Sequence, residues 1–113
     1  MKSKILALSK NEEFKILLKK KKLSNMYVTF FFGVLAGKNN KKLNISFVAK
    51  KKIGNAVKRN KVKRQLRNII NEAVKKTLIK FNYSYLVIAK ATMLNSEYTN
   101  IKETLFQSFK KIK

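Results

Sequence analysis

The chain has 113 residues, enough for one small domain, and its 28 Lys and Arg against 5 acidic residues give a formal net charge of +23. It has no Cys and no His, which removes disulfides, thiolate metal sites, thiol nucleophiles and the commonest general base, and no apolar run reaches the ~18 residues that a membrane-spanning helix needs. With 45% hydrophobic and 11% aromatic residues, the composition lies outside the disordered class, so the chain is expected to fold against considerable self-repulsion.

The first expected element is a helix beginning near Ser9. Ser9-Lys10-Asn11-Glu12 fits a capping box, with a hydroxyl three residues before a carboxylate. Glu12 and Glu13 fall in the first turn, where the helix dipole favours anions; as sequence neighbours they point to different parts of the helix surface and do not form an acid/base pair. Phe14, Leu17 and Leu18 make an apolar stripe, and the run Lys19 to Lys22 is expected to close the helix with positive charge. The residues before Ser9 have too short an apolar stretch for a signal peptide, so an intracellular, cytoplasmic location with no membrane partner is expected.

Met26 to Leu35 reads as a strand, rich in aromatic and β-branched residues. With period 2, Tyr27, Thr29 and Phe31 share one face and Val28, Phe30 and Phe32 the other. Gly37 to Lys42 reads as a turn, and Leu43 to Ala49 as a second strand, the expected hairpin partner of the first. Lys50-Lys51-Lys52 and Gly54 lead into a long helix from about Ala56 to about Ile79. On it Val62, Leu66, Ile69 and Ala73 lie within about 60° of one another, while Arg59, Asn60, Lys63, Arg64 and Arg67 occupy a separate arc of about 140°. Tyr83 to Ala91 reads as a third strand with the buried run Leu86 to Ala89. Asn95 or Ser96 is expected to cap a last helix, whose stripe is Tyr98, Ile101, Leu105, Phe109 and Ile112. The expected architecture is α+β, a two-layer sandwich in α-β-β-(β)-α-β-α order, forming one domain over residues 1–113.

No catalytic constellation emerges: there is no triad, no metal-ligand cluster and no Gly-rich phosphate loop. Binding is better supplied. The segment Lys50 to Arg67 is densely basic and contains no acidic residue. Arg59, Arg64 and Arg67 are the only Arg in a chain otherwise charged by Lys. A guanidinium offers a planar fork for phosphates and bases, where Lys offers a point charge. The bland alternatives are a coding bias toward Lys and an ordinary solvated face; three Arg on one helical arc favour nucleic acid. Phe14, Thr29 and Phe31 would suit unstacked, single-stranded bases beside that helix, which would favour RNA, although strand aromatics are more often core than base platforms. The rivals are a small basic ribosomal protein and a DNA binder that lays the Arg-bearing helix in a groove.

The stretch V-A-K-K-K-I-G-N-A-V-K-R-N-K-V-K-R-Q-L-R, Val48 to Arg67, closely resembles the signature of the bacterial ribonuclease P protein subunit family. L-x-K-N-E-E-F at Leu8 to Phe14, V-I-A-K at Val87 to Lys90 and the segment Leu94 to Ile112 resemble further family segments in the same order. The resemblance implies an α+β fold with a central mixed sheet and a left-handed βαβ crossover. It also implies a role: an accessory subunit, without an active site of its own, of an endoribonuclease whose RNA subunit removes the 5′ leader of precursor tRNA. The implied partners are that catalytic RNA and precursor tRNA, with no obligate protein partner. The implied cofactor is Mg2+, bound mainly by the RNA, with no organic cofactor and no metal ligand or catalytic residue in the protein. Carried over position by position, Arg59, Asn60, Lys63, Arg64 and Arg67 match the motif that contacts the catalytic RNA. Phe14, Leu18, Thr29, Phe31, Lys51, Lys52 and Lys90 match the leader cleft and its margin. Leu18 stands where the family commonly has Phe, and Phe31 where Tyr is frequent.

Overall fold

A computed structural model describes residues 5–8, 12–38 and 41–112. Its strands are β1 (Ile5–Leu6), β2 (Lys21–Ser24), β3 (Val28–Gly33), β4 (Leu43–Val48) and β5 (Ser84–Ala89), and its helices are α1 (Glu12–Leu18), α2 (Ala56–Lys75) and α3 (Tyr98–Lys111). The strands form one mixed sheet in the order β1-β4-β5-β3-β2. β4 and β5 are parallel, with α2 as the crossover between them, and β3 runs antiparallel to both β5 and β2.

The alternation along β3 decides what each side of the sheet does. Val28, Phe30 and Phe32 join Ile45, Tyr85 and Val87 on the face that packs against α2 and α3. From α2 come Val62, Leu66, Ile69 and Ala73, the predicted inner arc, together with Ile70; from α3 come Ile101, Leu105 and Phe109. Phe30 and Phe109 meet at 5.1 Å between ring centroids. The Tyr85 hydroxyl donates to the Lys80 carbonyl at 2.8 Å. Burial pushes its pKa well above the ordinary tyrosine value, because an unsolvated phenolate is costly.

The opposite face carries a smaller cluster. Leu17 of α1 packs with Leu8, Leu35 and Leu86, and Phe14, Phe31, Val48 and Ile88 border it. The expected α+β sandwich is therefore present, with the short α1 covering only part of the second face. That partial cover leaves a concave surface.

Several local expectations are corrected. The Lys run does not close α1: the helix stops at Leu18, and Lys21 and Lys22 begin β2. An edge strand rich in Lys resists pairing with other chains, so charge that reads as a helix terminus serves equally well on a sheet edge. The two strands expected to form a hairpin are not neighbours, because β5 lies between β3 and β4; the connection 34–42 exceeds a tight hairpin loop. The predicted capping box involves residues 9–11, outside the described residues. α2 ends at Lys75, short of Ile79. There the N–H groups of Thr77 and Leu78 bond back to the carbonyls of Val74 and Ala73, a Schellman closure with Thr77 at φ 53°. Neither Asn95 nor Ser96 caps α3: the cap position is Glu97, and the Ser96 hydroxyl donates to the Thr92 carbonyl instead.

Candidate RNA interface

The N-terminus of α2 is fixed by three features. Lys51–Ile53 form a 3-10 turn whose Ile53 is buried. The Asn55 side chain accepts from the Lys58 N–H at 3.0 Å, which satisfies a donor that the helix leaves open. Gly54 sits between them at φ 147°, and a Cβ there would lie 2.8 Å from Lys58 Cδ. That backbone region is essentially reserved for glycine. Gly54→Ala is expected to cost about 1–3 kcal/mol, read as a lower denaturation midpoint. Part of any loss of RNA affinity in this variant would come from misplacing Lys51 and Lys52.

Those two lysines are exposed at the head of α2, and Asn60, Arg64 and Arg67 are exposed along it. Arg59 and Lys63 are half-buried, because their arc adjoins the inner face. Arg59 Nε is buried and has no hydrogen-bond partner within the chain. An unsatisfied buried donor is costly.

A cleft of about 720 Å³ runs along the same helix; its lining includes Phe14 of α1, Ser46 and Val48 of β4, Leu8, and Lys63 and Arg67 of α2. Lys63 and Arg67, assigned by sequence to the catalytic RNA, therefore also line the cleft. Ser46 and Val48 were not singled out by the sequence reading, although alternation along β4 puts them on one face. Ser46 Oγ accepts from the Leu8 N–H at 2.8 Å, which ties the segment after β1 to the cleft wall.

The other predicted cleft residues lie outside that lining. Phe31 is half-buried and borders the smaller cluster, as Phe14 does, with Lys22 Nζ 5.9 Å from its ring centroid. Leu18 is exposed at the end of α1. Thr29 lies at the start of β3, its hydroxyl 3.2 Å from Ser24 Oγ. Lys90 is tied into the fold: its Nζ donates to Ser24 Oγ at 2.8 Å and to the Asn25 carbonyl. Asn25 in turn accepts from the N–H groups of Tyr27 and Val28 and donates to Ser108 of α3. Lys90 thus holds the β2–β3 turn that presents Thr29.

Two carboxylates are held in ion pairs. Glu13 pairs with Lys38 at 2.6 Å and Glu72 with Lys102 at 3.3 Å. Tyr98 reaches Glu72 Oε1 at 3.5 Å; burial first, then the Glu72 charge, raises the Tyr98 pKa. Among the described residues no group of three or more acidic side chains lies together to hold a metal ion, and no helix is long and apolar enough to cross a membrane.

A basic helix face beside a half-covered sheet and a cleft walled by an aromatic ring define a small α+β protein suited to polyanions. The family model for ribonuclease P matches residues 3–113. Ribonuclease P protein components of Bacillus cereus and Bacillus anthracis are each 33% identical to the chain over 104 residues; these cover 92% of the chain and 88% and 85% of the relatives. The ribonuclease P protein of Thermotoga maritima superposes with a TM-score of 0.80 at 24% identity, covering 96% of this chain and 98% of that one. That of Staphylococcus aureus superposes at 0.79 with 25% identity, covering 95% and 94%. The chain belongs to the ribonuclease P protein family. Its function is that of a ribonuclease P protein component, in tRNA processing within a ribonucleoprotein, and the ribosomal alternative is not supported.

Proposed function

We propose that the chain binds the catalytic RNA through Arg59, Asn60, Lys63, Arg64 and Arg67 and receives the single-stranded 5′ leader of precursor tRNA in the cleft between α2 and the sheet. The observation that carries this reading is the convergence of Phe14, β4 and the cations Lys63 and Arg67 on one cleft. Phe14 offers a face for base stacking, Lys63 and Arg67 neutralise the leader backbone, and Phe31 borders the same small cluster as Phe14. Lys51 and Lys52 add charge where backbone and helix dipole already favour phosphate. Leu18 and Thr29 extend the surface at the two ends of α1 and β3, and Lys90 acts by positioning Thr29.

The hydrolytic chemistry belongs to the RNA subunit. The protein residues do not suit a resident Mg2+, since the carboxylates are dispersed or paired with Lys. In this proposal the RNA holds the metal. The protein's contribution is electrostatic: catalytic RNA and precursor repel each other, and a chain of charge +23 between them lowers that repulsion.

Reconstitution tests the reading. With the candidate catalytic RNA and precursor tRNA at low magnesium, the protein should stimulate cleavage of the 5′ leader. Phe14→Ala should weaken binding of leader-bearing precursor by about 1–3 kcal/mol, the worth of one stacked base, and leave leaderless tRNA unaffected. Absence of stimulation, or equal losses for both tRNAs, would overturn the assignment.

A further inference from the structure

A second recess, of about 460 Å³, opens where α1 turns into β2, against the ends of β3 and β5. Gly33 of β3 pairs with Ser84 at this end of the sheet, whereas β4 leaves for α2 at the other end. The recess is therefore separate from the head of α2. Its lining includes Lys19, Lys20, Lys21, Phe32, Gly33 and Tyr83.

Three details distinguish it from a solvated lysine run. The N–H groups of Lys19 and Lys20 bond back to the carbonyls of Ile16 and Leu17 at 3.1 and 2.9 Å, so the turn carrying them is fixed. Lys20 lies across a glycine: a Cβ at Gly33 would stand 2.9 Å from Lys20 Cγ and 3.0 Å from its Cβ and Cδ. The missing side chain is what lets the lysine stem rest on the strand end. The far wall is aromatic, with Phe32 and Tyr83 meeting edge to face at 5.5 Å. Lys21 faces Phe32 across the ladder and Lys22 faces Phe31, so β2 delivers charge to both sides of the sheet.

We infer that this recess is a second RNA-backbone site, in which Lys19, Lys20 and Lys21 hold phosphodiester groups of a strand whose ribose or base rests on Tyr83. Cations lining a concave site raise the local potential for an anion, and the aromatic wall gives a nucleotide a surface that a simple anion would not use. The inference rests on the RNA-binding role proposed above and extends it to the far end of the sheet.

The test measures affinity of the full chain for the ribonuclease P RNA across a salt series. Lys19→Ala/Lys20→Ala/Lys21→Ala should lower the slope of log affinity against log salt by about 3, about one for each lost phosphate contact, with roughly tenfold weaker binding at moderate salt. Lys75→Ala/Lys110→Ala/Lys111→Ala removes the same charge elsewhere and should change the slope by less than about 0.5. Gly33→Ala changes no charge; by dislodging Lys20 it should weaken binding by about threefold and lower the slope by about 1. Equal losses in the two triple variants would mean a diffuse field and would overturn the recess. Arg59→Ala/Arg64→Ala, run alongside, separates the two readings. Should that variant also bind as the unsubstituted chain does, the RNA role itself fails; should it alone lose affinity, only the recess fails.

Discussion

Replacing Arg59 and Arg64 together with Ala is expected to weaken binding to the ribonuclease P RNA by about 10²-fold or more. Each charge-assisted contact to phosphate is worth about 1.5–3 kcal/mol, and two such losses amount to roughly 3–6 kcal/mol before any compensation. Because phosphate contacts release counterions, the salt dependence should also flatten, by about 2 in the log–log slope. The two positions should not behave alike. Arg64 is exposed, and Lys there would retain its charge while losing the planar fork. Arg59 is half-buried with an unpartnered Nε; Ala there removes the buried donor along with the contact, so stability should hold while affinity falls. Titration of the RNA across salt checks the affinity, and thermal melting of the free protein checks the fold. Unchanged affinity and leader processing in the double variant would falsify the assignment of this helix face.

The sheet and the helix face were legible in the sequence to different depths, for physical reasons. The inner arc of α2 was readable because a long helix repeats its period many times; Val62, Leu66, Ile69 and Ala73 are all buried. The split of β3 was readable in the same way, with Phe30 on the main core and Phe31 in the smaller cluster, except at Tyr27, which was expected on the Phe31 face but precedes the strand and packs in the main core. Pairing was not readable. Alternation tells which side of a strand is apolar and says nothing of which strand lies beside it, so the insertion of β5 between β3 and β4 had no local signal. β2 was hidden for a related reason: Lys21 and Lys22 look like a helix terminus, and only their register against Phe32 and Phe31 makes them a strand.

The site was partly legible. The motif on α2 identified the cations, but composition could not divide them. In the structure Lys63 and Arg67 line the cleft while Asn60 and Arg64 do not, which follows from where α2 crosses β4. Lys90 matched a cleft-margin position in the sequence, yet its ammonium is occupied by Ser24 and Asn25. A hydrogen bond over so long a sequence separation has no one-dimensional signature. Gly54 was noticed as a helix-entry residue; that its φ permits little besides glycine needed the backbone.

A second large effect is expected in the core beneath the same helix. Leu66 is fully buried on the inner face of α2, and Leu66→Ala should cost about 2–5 kcal/mol through lost transfer energy and the cavity left behind. Small domains have total stabilities of about 5–15 kcal/mol, and self-repulsion at +23 places this chain toward the lower end. The melting temperature should therefore fall by roughly 10 °C or more, and at low salt a large fraction of the variant should be unfolded. Polyanions should reverse this. A ligand at about 1,000 times its dissociation constant adds ~4 kcal/mol to the folded state, so RNA should restore cooperative melting, and sulfate should do so in part. A melting temperature indifferent to both would contradict the view that charge repulsion limits stability. The same variant sharpens the reading of Arg59 and Arg64. Leu66 touches no RNA in the proposed mode, so its substitution lowers apparent affinity only by reducing the folded fraction. Its loss should shrink as RNA or sulfate refolds the chain, with the number of phosphate contacts unchanged in the folded molecules. In the arginine variant the folded fraction stays high and the contacts themselves are missing, so added sulfate cannot recover the affinity.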